Sequence, residues 1–215
     1  MATKEHCIFA FEALAAHLEQ RKPLSLPDTI QLYNTSTSSL PTEITDSPLF
    51  VTWNTVSSRT GDTNLRGCIG TFEAQDLEDG ISSYAITAAI HDTRFNPISK
   101  RELPSLEVAI TLLTDFEDCD DAMDWEIGTH GIRLSFTDRG KRYGSTYLPD
   151  VAPEQGWTKE ETILSLIRKG GWMGKKDKWH DLDLKVVRYQ GKKDDARYSE
   201  FKQFRDWVDA QINTA

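Results

Sequence analysis

The sequence predicts an α+β fold with a mainly antiparallel sheet flanked by helices. Three observations carry that prediction. Runs rich in β-branched and aromatic residues come in pairs joined by turn residues, as at 49–53 with 65–72 and at 130–136 with 141–146. Stretches of helical apolar period stand before, between and after those pairs. Hairpin connections outnumber segments long enough to serve as parallel crossovers. The chain has no internal repeat and no domain linker, so it reads as a single domain over 1–215, with the hairpin region 115–150 as a candidate smaller lobe.

Cys7, Phe11, Leu14 and Leu18 recur on one helical face, and Pro23 and Pro27 forbid its continuation. Residues 34–48 are polar and turn-rich, and read as a surface loop. The strand at 49–53 turns through Gly61 and Asp62 and returns at 65–72, which puts Trp53 and Cys68 on neighbouring strands. Asp76 is placed to cap a helix whose apolar stripe is Leu77, Ile81, Tyr84, Ala85 and Ala88. That helix runs into His91-Asp92-Thr93-Arg94-Phe95-Asn96-Pro97, a segment dense in hydrogen-bonding groups.

After Pro104 the alternation of 106–112 predicts a strand with one buried face. The acidic run 117–121 interrupts it and reads as a solvated loop, because no metal-binding frame accompanies the carboxylates. Asp138-Arg139-Gly140 turns the next hairpin, and 147–157 is a long connection with two prolines. Thr158 and Glu161 form a capping box for a helix through Ile163, Leu166 and Ile167, which ends at Gly170-Gly171. Leu182, Leu184 and Val186 alternate in a last strand within 179–189, residues 192–195 are polar, and Tyr198, Phe201, Phe204 and Val208 line a closing helix.

Composition narrows the function classes. A net charge of −9 and a pI near 5.1 argue against general binding of nucleic acid or anionic membranes, though not against a local basic pocket. Three widely spaced cysteines without a CxxC pair fit neither a disulfide framework nor a structural zinc site, which favours a reducing compartment. With no secretory core and no run of apolar residues long enough to span a bilayer, the expectation is a soluble intracellular protein, cytoplasmic and/or nuclear. No Walker motif, dinucleotide fingerprint, HExxH or GxSxG is present, so the cofactor is unknown and no metal is expected.

The stretch Asn64-Leu65-Arg66-Gly67-Cys68-Ile69-Gly70-Thr71-Phe72 concentrates the chemistry. Cys68 lies between two glycines, and glycine inside a strand marks a bulge or a close approach to the backbone. On a regular strand Arg66 and Cys68 share a face, where the cation favours the thiolate; a distortion at Gly67 breaks that relation. Cys68 is thus a candidate nucleophile and His91 a candidate base, against the plainer reading of a small buried hydrophobe and a helix C-terminal histidine. Asp92 and Arg94 either tie their own loop together or hold a ligand, and Arg94 has the donor fork that suits a carboxylate or phosphate. Arg168, Lys169, Lys175, Lys176 and Lys178 surround a glycine-rich segment as a local basic patch, although Lys169 also suits the end of its helix for structural reasons alone.

Several elements together resemble one known family. Leu65-Arg66-Gly67-Cys68-Ile69-Gly70, then Asp92, Arg94, Phe95 and Pro97, then Leu103, Pro104, Leu106 and Glu107, then 147–157 and Lys169-Gly170-Gly171 are similar to the AMMECR family pattern in order and spacing. The resemblance covers nearly everything from residue 6 to the closing helix. It implies a two-lobed α+β protein with the cysteine signature facing an inter-lobe cleft. It carries over Arg66, Gly67, Gly70, Asp92, Arg94, Glu154 and Lys169 as ligand-binding candidates around Cys68. The family's biochemical activity is not established. Prokaryotic relatives occur beside Memo-like and radical-S-adenosylmethionine proteins, which implies a shared enzymatic pathway, and animal members are discussed as nuclear or regulatory.

Two readings of different class stay open. In the first, an intracellular enzyme or small-molecule processor binds a small anionic ligand around Cys68. In the second, a non-catalytic adaptor binds a peptide or protein partner through the same cleft, with Trp157, Trp172 and Trp179 as anchors. Neither involves a membrane, and nucleic acid is not an expected partner.

Overall fold

Burial alternates along β1 (Asp46–Val56), and Trp53, wholly buried, sends its indole N–H to the carbonyl of Ala85 at 2.9 Å. That bond ties a strand to the helix that covers it. The computed structural model describes residues 1–37 and 45–212. The other elements are α1 (Lys4–Glu19), α2 (Leu26–Thr37), β2 (Thr63–Asp76), α3 (Leu77–Ile90), β3 (Leu106–Asp118), β4 (His130–Asp138), β5 (Lys141–Tyr147), α4 (Val151–Gln155), α5 (Lys159–Lys169), β6 (Lys185–Arg197) and α6 (Tyr198–Ile212). The strands make a six-stranded antiparallel sheet in the order β2-β1-β3-β6-β4-β5, so the expected α+β class holds. By contact density the chain divides into two units, 1–112 with 192–215 and 113–191.

In the first unit β1 is sandwiched between β2 and β3, and α3 packs on β1 and β2. Phe11 of α1 meets Trp53 edge-on at 5.0 Å and stacks on Phe201 of α6 at 5.5 Å. Cys7, Phe11 and Leu14 of the predicted face are buried and Leu18 is partly so, but burial runs unbroken from Glu5 to Ala16, because α2, α3 and α6 all pack on α1. Asp76 caps α3 as expected, accepting from the amides of Glu78 and Asp79. Glu12 is fully buried in this core, where it accepts from Arg21 at 2.8 Å and from the amide of Leu24 at 3.0 Å.

In the second unit α5 covers an apolar layer that includes Ile132, Leu134, Phe136, Leu166 and Ile167. The capping box of α5 forms as predicted, with the Thr158 hydroxyl accepting from the Glu161 amide. Trp172 and Trp179, expected as partner anchors, are instead 5% and 7% exposed and belong to this core.

Other differences have local causes. The loop expected over 34–48 is helical to Thr37 and strand from Asp46; residues 38–44 lie outside the described part. Pro27 sits in the first turn of α2, where its missing N–H costs no intrahelical bond. The hydroxyls of Thr29, Thr35 and Ser36 bond back to carbonyls of the preceding turn, which reconciles a Ser/Thr-rich run with a helix. Pro48 is accommodated in β1 by a register shift between Ser47 and Leu49. β3 continues to Asp118 because it runs beside β6, with the Cys119 amide donating to the Val186 carbonyl at 2.9 Å and Glu117 paired with Arg188. The last strand starts at Lys185 and includes 192–195, while Lys176–Asp181 forms a 3-10 segment that buries Trp179. Gly171, with φ +91°, takes the left-handed position after α5, whereas Gly170 stays right-handed.

Candidate functional site

The register of β1 and β2 sets Thr52 opposite Cys68 and Trp53 opposite Gly67, then jumps to Asn54 opposite Leu65. Arg66 is the extra residue of a bulge. Regular alternation would have put Arg66 and Cys68 on one face, and the bulge breaks that relation. The Arg66 guanidinium instead donates to Glu102 at 2.9 Å and to the carbonyl of Asn96 at 2.8 Å. Burial opposes the charge of Glu102, but the Ser99 amide and Arg66 outweigh it and hold the carboxyl below its ordinary value.

Gly67 is required by helix packing. A Cβ there would lie 2.1 Å from the carbonyl oxygen of Ala88, so only glycine lets the end of α3 rest on β2. At Gly70 a Cβ would come within 2.4 Å of the Leu49 carbonyl and the Phe50 ring. Both glycines are therefore accounted for inside the fold.

β2 is an edge strand, and an edge presents backbone groups that have no neighbouring strand. At Cys68 the 91–97 loop supplies the missing partner. Asp92 accepts from the Cys68 amide at 2.9 Å, and Arg94 donates from Nη2 to the Cys68 carbonyl at 3.1 Å. Asp92 also accepts from the Arg94 amide at 3.1 Å and from its Nε at 2.9 Å and Nη2 at 2.6 Å. The Arg94 guanidinium, aided by the Cys68 and Arg94 amides, outweighs burial and holds the Asp92 carboxyl well below the usual carboxylate range. The same pairing raises Arg94. The Asp92 side chain is buried, while that of Arg94 remains 55% exposed with its guanidinium 5.5 Å from the Phe95 ring. Among the described residues Nη1 of Arg94 makes no hydrogen bond.

The Cys68 thiol is half-buried and accepts a hydrogen bond from the Thr52 hydroxyl at 3.2 Å. His91 ends α3, where its amide bonds to the carbonyl of Thr87 at 2.8 Å, and its side chain is exposed. Glu154 and Lys169 belong to the second unit. Glu154 is exposed on α4. Lys169 donates to the carbonyl of Thr146 at 2.9 Å and lies 4.4 Å from the Tyr147 ring; burial lowers its pKa. Among the described residues no three His, Cys, Asp or Glu side chains form a metal-ligating group.

The structure thus gathers Arg66, Gly67, Cys68, Gly70, Asp92 and Arg94 in the first unit. It adds Asn96, from the loop already singled out, and also Thr52 and Glu102, which sequence reasoning passed over. Two signals pointed to Thr52 and Glu102: Thr52 precedes Trp53 and so faces Cys68 in the hairpin, and Ser99 with Glu102 has capping-box spacing. Chemically, the arrangement is a fixed, half-exposed guanidinium bonded to the backbone of the residue that carries the thiol.

A family model described as AMMECR1 matches residues 7–193. An uncharacterised protein of Schizosaccharomyces pombe is 42% identical over 201 residues, which is 94% of this chain and 96% of that protein. An uncharacterised protein of Arabidopsis thaliana is 38% identical over 206 residues, covering 94% of this chain and 89% of the relative. The crystal structure of an uncharacterised protein from Pyrococcus horikoshii superposes with a TM-score of 0.66 at 25% identity, over 88% of this chain and 89% of that one.

Proposed function

The chain belongs to the AMMECR1 family, and we propose that it is a small-molecule-processing protein whose anionic ligand docks on Arg94 beside Cys68. One observation carries the reading. Arg94 is half exposed, yet its guanidinium is held by buried Asp92 and by the Cys68 carbonyl, which leaves Nη1 as a pre-positioned donor. A fork fixed in advance loses little freedom when it receives a carboxylate or phosphate. The thiol at the same backbone position would then lie against the ligand. The three free cysteines support an intracellular, reducing setting, and no helix among the described residues is long and apolar enough to cross a membrane.

Alkylation of Cys68 by iodoacetamide, followed by peptide mass spectrometry, tests the docking. Acetate, citrate, inorganic phosphate and pyrophosphate are the anions to add. At least one should slow modification of Cys68 while leaving Cys119 unaffected, and Arg94→Gln should remove that protection. Identical Cys68 rates with every anion would overturn the reading. Addition of the Cys68 thiol to an electrophilic carbon of the ligand is its further step, the S–C bond forming as a π bond of the ligand opens and His91 taking the thiol proton. An adduct on Cys68 after incubation with cell extract, absent from Cys68→Ser and diminished in His91→Gln, is the expected result. An unmodified Cys68 in every extract removes that step.

A further inference from the structure

The glycine-rich segment after α5 has a role that the Cys68 site does not absorb. Gly171 turns the chain out of the helix, and Arg168 then grips the segment by donating to the carbonyls of Trp172 at 2.8 Å and Gly174 at 2.7 Å. The Trp172 indole N–H donates to Asp138 at 2.9 Å. A Cβ at Gly174 would lie 2.0 Å from the Trp172 ring, so the backbone there is pressed flat on the indole. Between these fixed points Met173 is 86% exposed, the most exposed of the large apolar side chains among the described residues. A methionine held out on a pinned loop is available for contact at little cost in ordering.

Met173 stands at a groove of about 550 Å³ between the β4–β5 turn and the segment up to Leu182. Four cations line it, Arg139, Lys141, Lys175 and Lys178, against the carboxylates of Asp138 and Asp181. Asp138 is engaged by Trp172 and Asp181 by Lys178 at 3.3 Å. Among the described residues Arg139, Lys141 and Lys175 have no carboxylate partner. This concentration of positive charge runs against the sign of a chain whose net charge is −9.

We propose that this groove docks an acidic peptide segment of a partner protein, with an apolar side chain of that segment resting on Met173. Charge complementarity steers and orients such a segment, and the polarizable thioether supplies an adaptable apolar contact. Single-stranded RNA suits the groove less, because no aromatic face is open for base stacking. Trp172 is buried, and Tyr143 stacks on Phe136 at 5.0 Å with Lys141 over its ring.

The test uses the full chain and a fluorescein-labelled peptide of glutamates flanking a single leucine, with fluorescence anisotropy as the readout. A leucine-to-serine version of the peptide and a labelled oligouridylate are the comparison probes. Saturable binding of the leucine peptide is expected, weakened about tenfold by the double variant Lys175→Glu and Lys178→Glu and by raised salt. Met173→Ser should weaken the leucine peptide and leave the serine peptide unaffected. All three substitutions are at exposed positions, and circular dichroism confirms that each variant is folded. Absence of saturable peptide binding, equal binding by the charge-reversed variant, or tighter oligouridylate binding that the same variant abolishes would each overturn the proposal.

Discussion

The carboxylate of Asp92 accepts the amide hydrogen of Cys68 at 2.9 Å, twenty-four residues away along the chain. With Arg94 returning a bond to the Cys68 carbonyl, the loop behaves as one residue pair of an additional strand. It closes the sheet edge at the residue that carries the thiol, so the local stability of the loop governs exposure of the Cys68 amide.

Asp92→Asn should therefore loosen the edge. The amide keeps one acceptor oxygen but loses the charge that holds Arg94, at a cost of roughly 1–3 kcal/mol. Hydrogen exchange at the Cys68 amide should accelerate, and urea unfolding should shift to lower concentration. Because the folded-state pKa of Asp92 is depressed, its contribution is complete above the ordinary carboxylate range near pH ~4 and is lost only as pH falls further. Unchanged exchange at Cys68 would mean that the loop is held by something other than this carboxylate.

Gly67→Ala should be among the most damaging single-methyl additions in the chain. The new Cβ meets the Ala88 carbonyl at 2.1 Å, a backbone atom that cannot rotate away, so α3 must lift from β2. Overpacking of this kind costs roughly 1–3 kcal/mol or more. Gly144→Ala on β5 is the control, since its Cβ meets nothing nearer than 3.5 Å. Denaturant melts of the two variants should separate clearly; equal midpoints would show that α3 accommodates the methyl.

Much of this architecture was legible in the sequence, for physical reasons that also explain the gaps. Strands and helices with a buried face carry their period openly, as Ile163, Leu166 and Ile167 do on α5. Helix starts defined by side-chain acceptors, Asp76 and Thr158, could be read directly. What escaped was set by tertiary context. α2 is a Ser/Thr-rich helix whose hydroxyls are satisfied by back-bonding and which is held by packing of Ile30 and Tyr33 on the core. The bulge at Arg66 turns its guanidinium to Glu102, and no alternation pattern announces such a shift. Cys68, Asp92 and Arg94 were each identified, but that two of them complete a strand edge follows only from where β2 falls in the sheet.

Glu12 offers a separate test in the core. It is fully buried between Arg21 and Arg205, and removing its charge leaves two guanidinium groups and the Leu24 amide short of an acceptor. Glu12→Ala should cost about 1–3 kcal/mol, the scale of lost hydrogen bonds to a charged group, because Arg21 and Arg205 are partly exposed and keep Glu19 and Asp209 as partners. Calorimetry that found the variant as stable as the parent chain would refute this account of the α1–α6 contact.

His6 makes the fold sensitive to mild acid. It occupies the third position of α1, and its Nδ1 accepts from the Thr3 amide at 3.2 Å, a bond that only the neutral ring can make. Burial outweighs the neighbouring Glu5 and lowers its pKa from 6.5 to about 4. The unfolded chain thus binds the proton first, so stability is complete above pH ~6.5 and falls as pH drops towards the folded value. A shift of that size corresponds to roughly 3 kcal/mol lost across the window. His6→Gln supplies a capping acceptor that does not titrate, so the variant should keep its melting temperature where the parent chain loses several degrees. Parallel acid profiles for the two proteins would place the acid-labile group elsewhere.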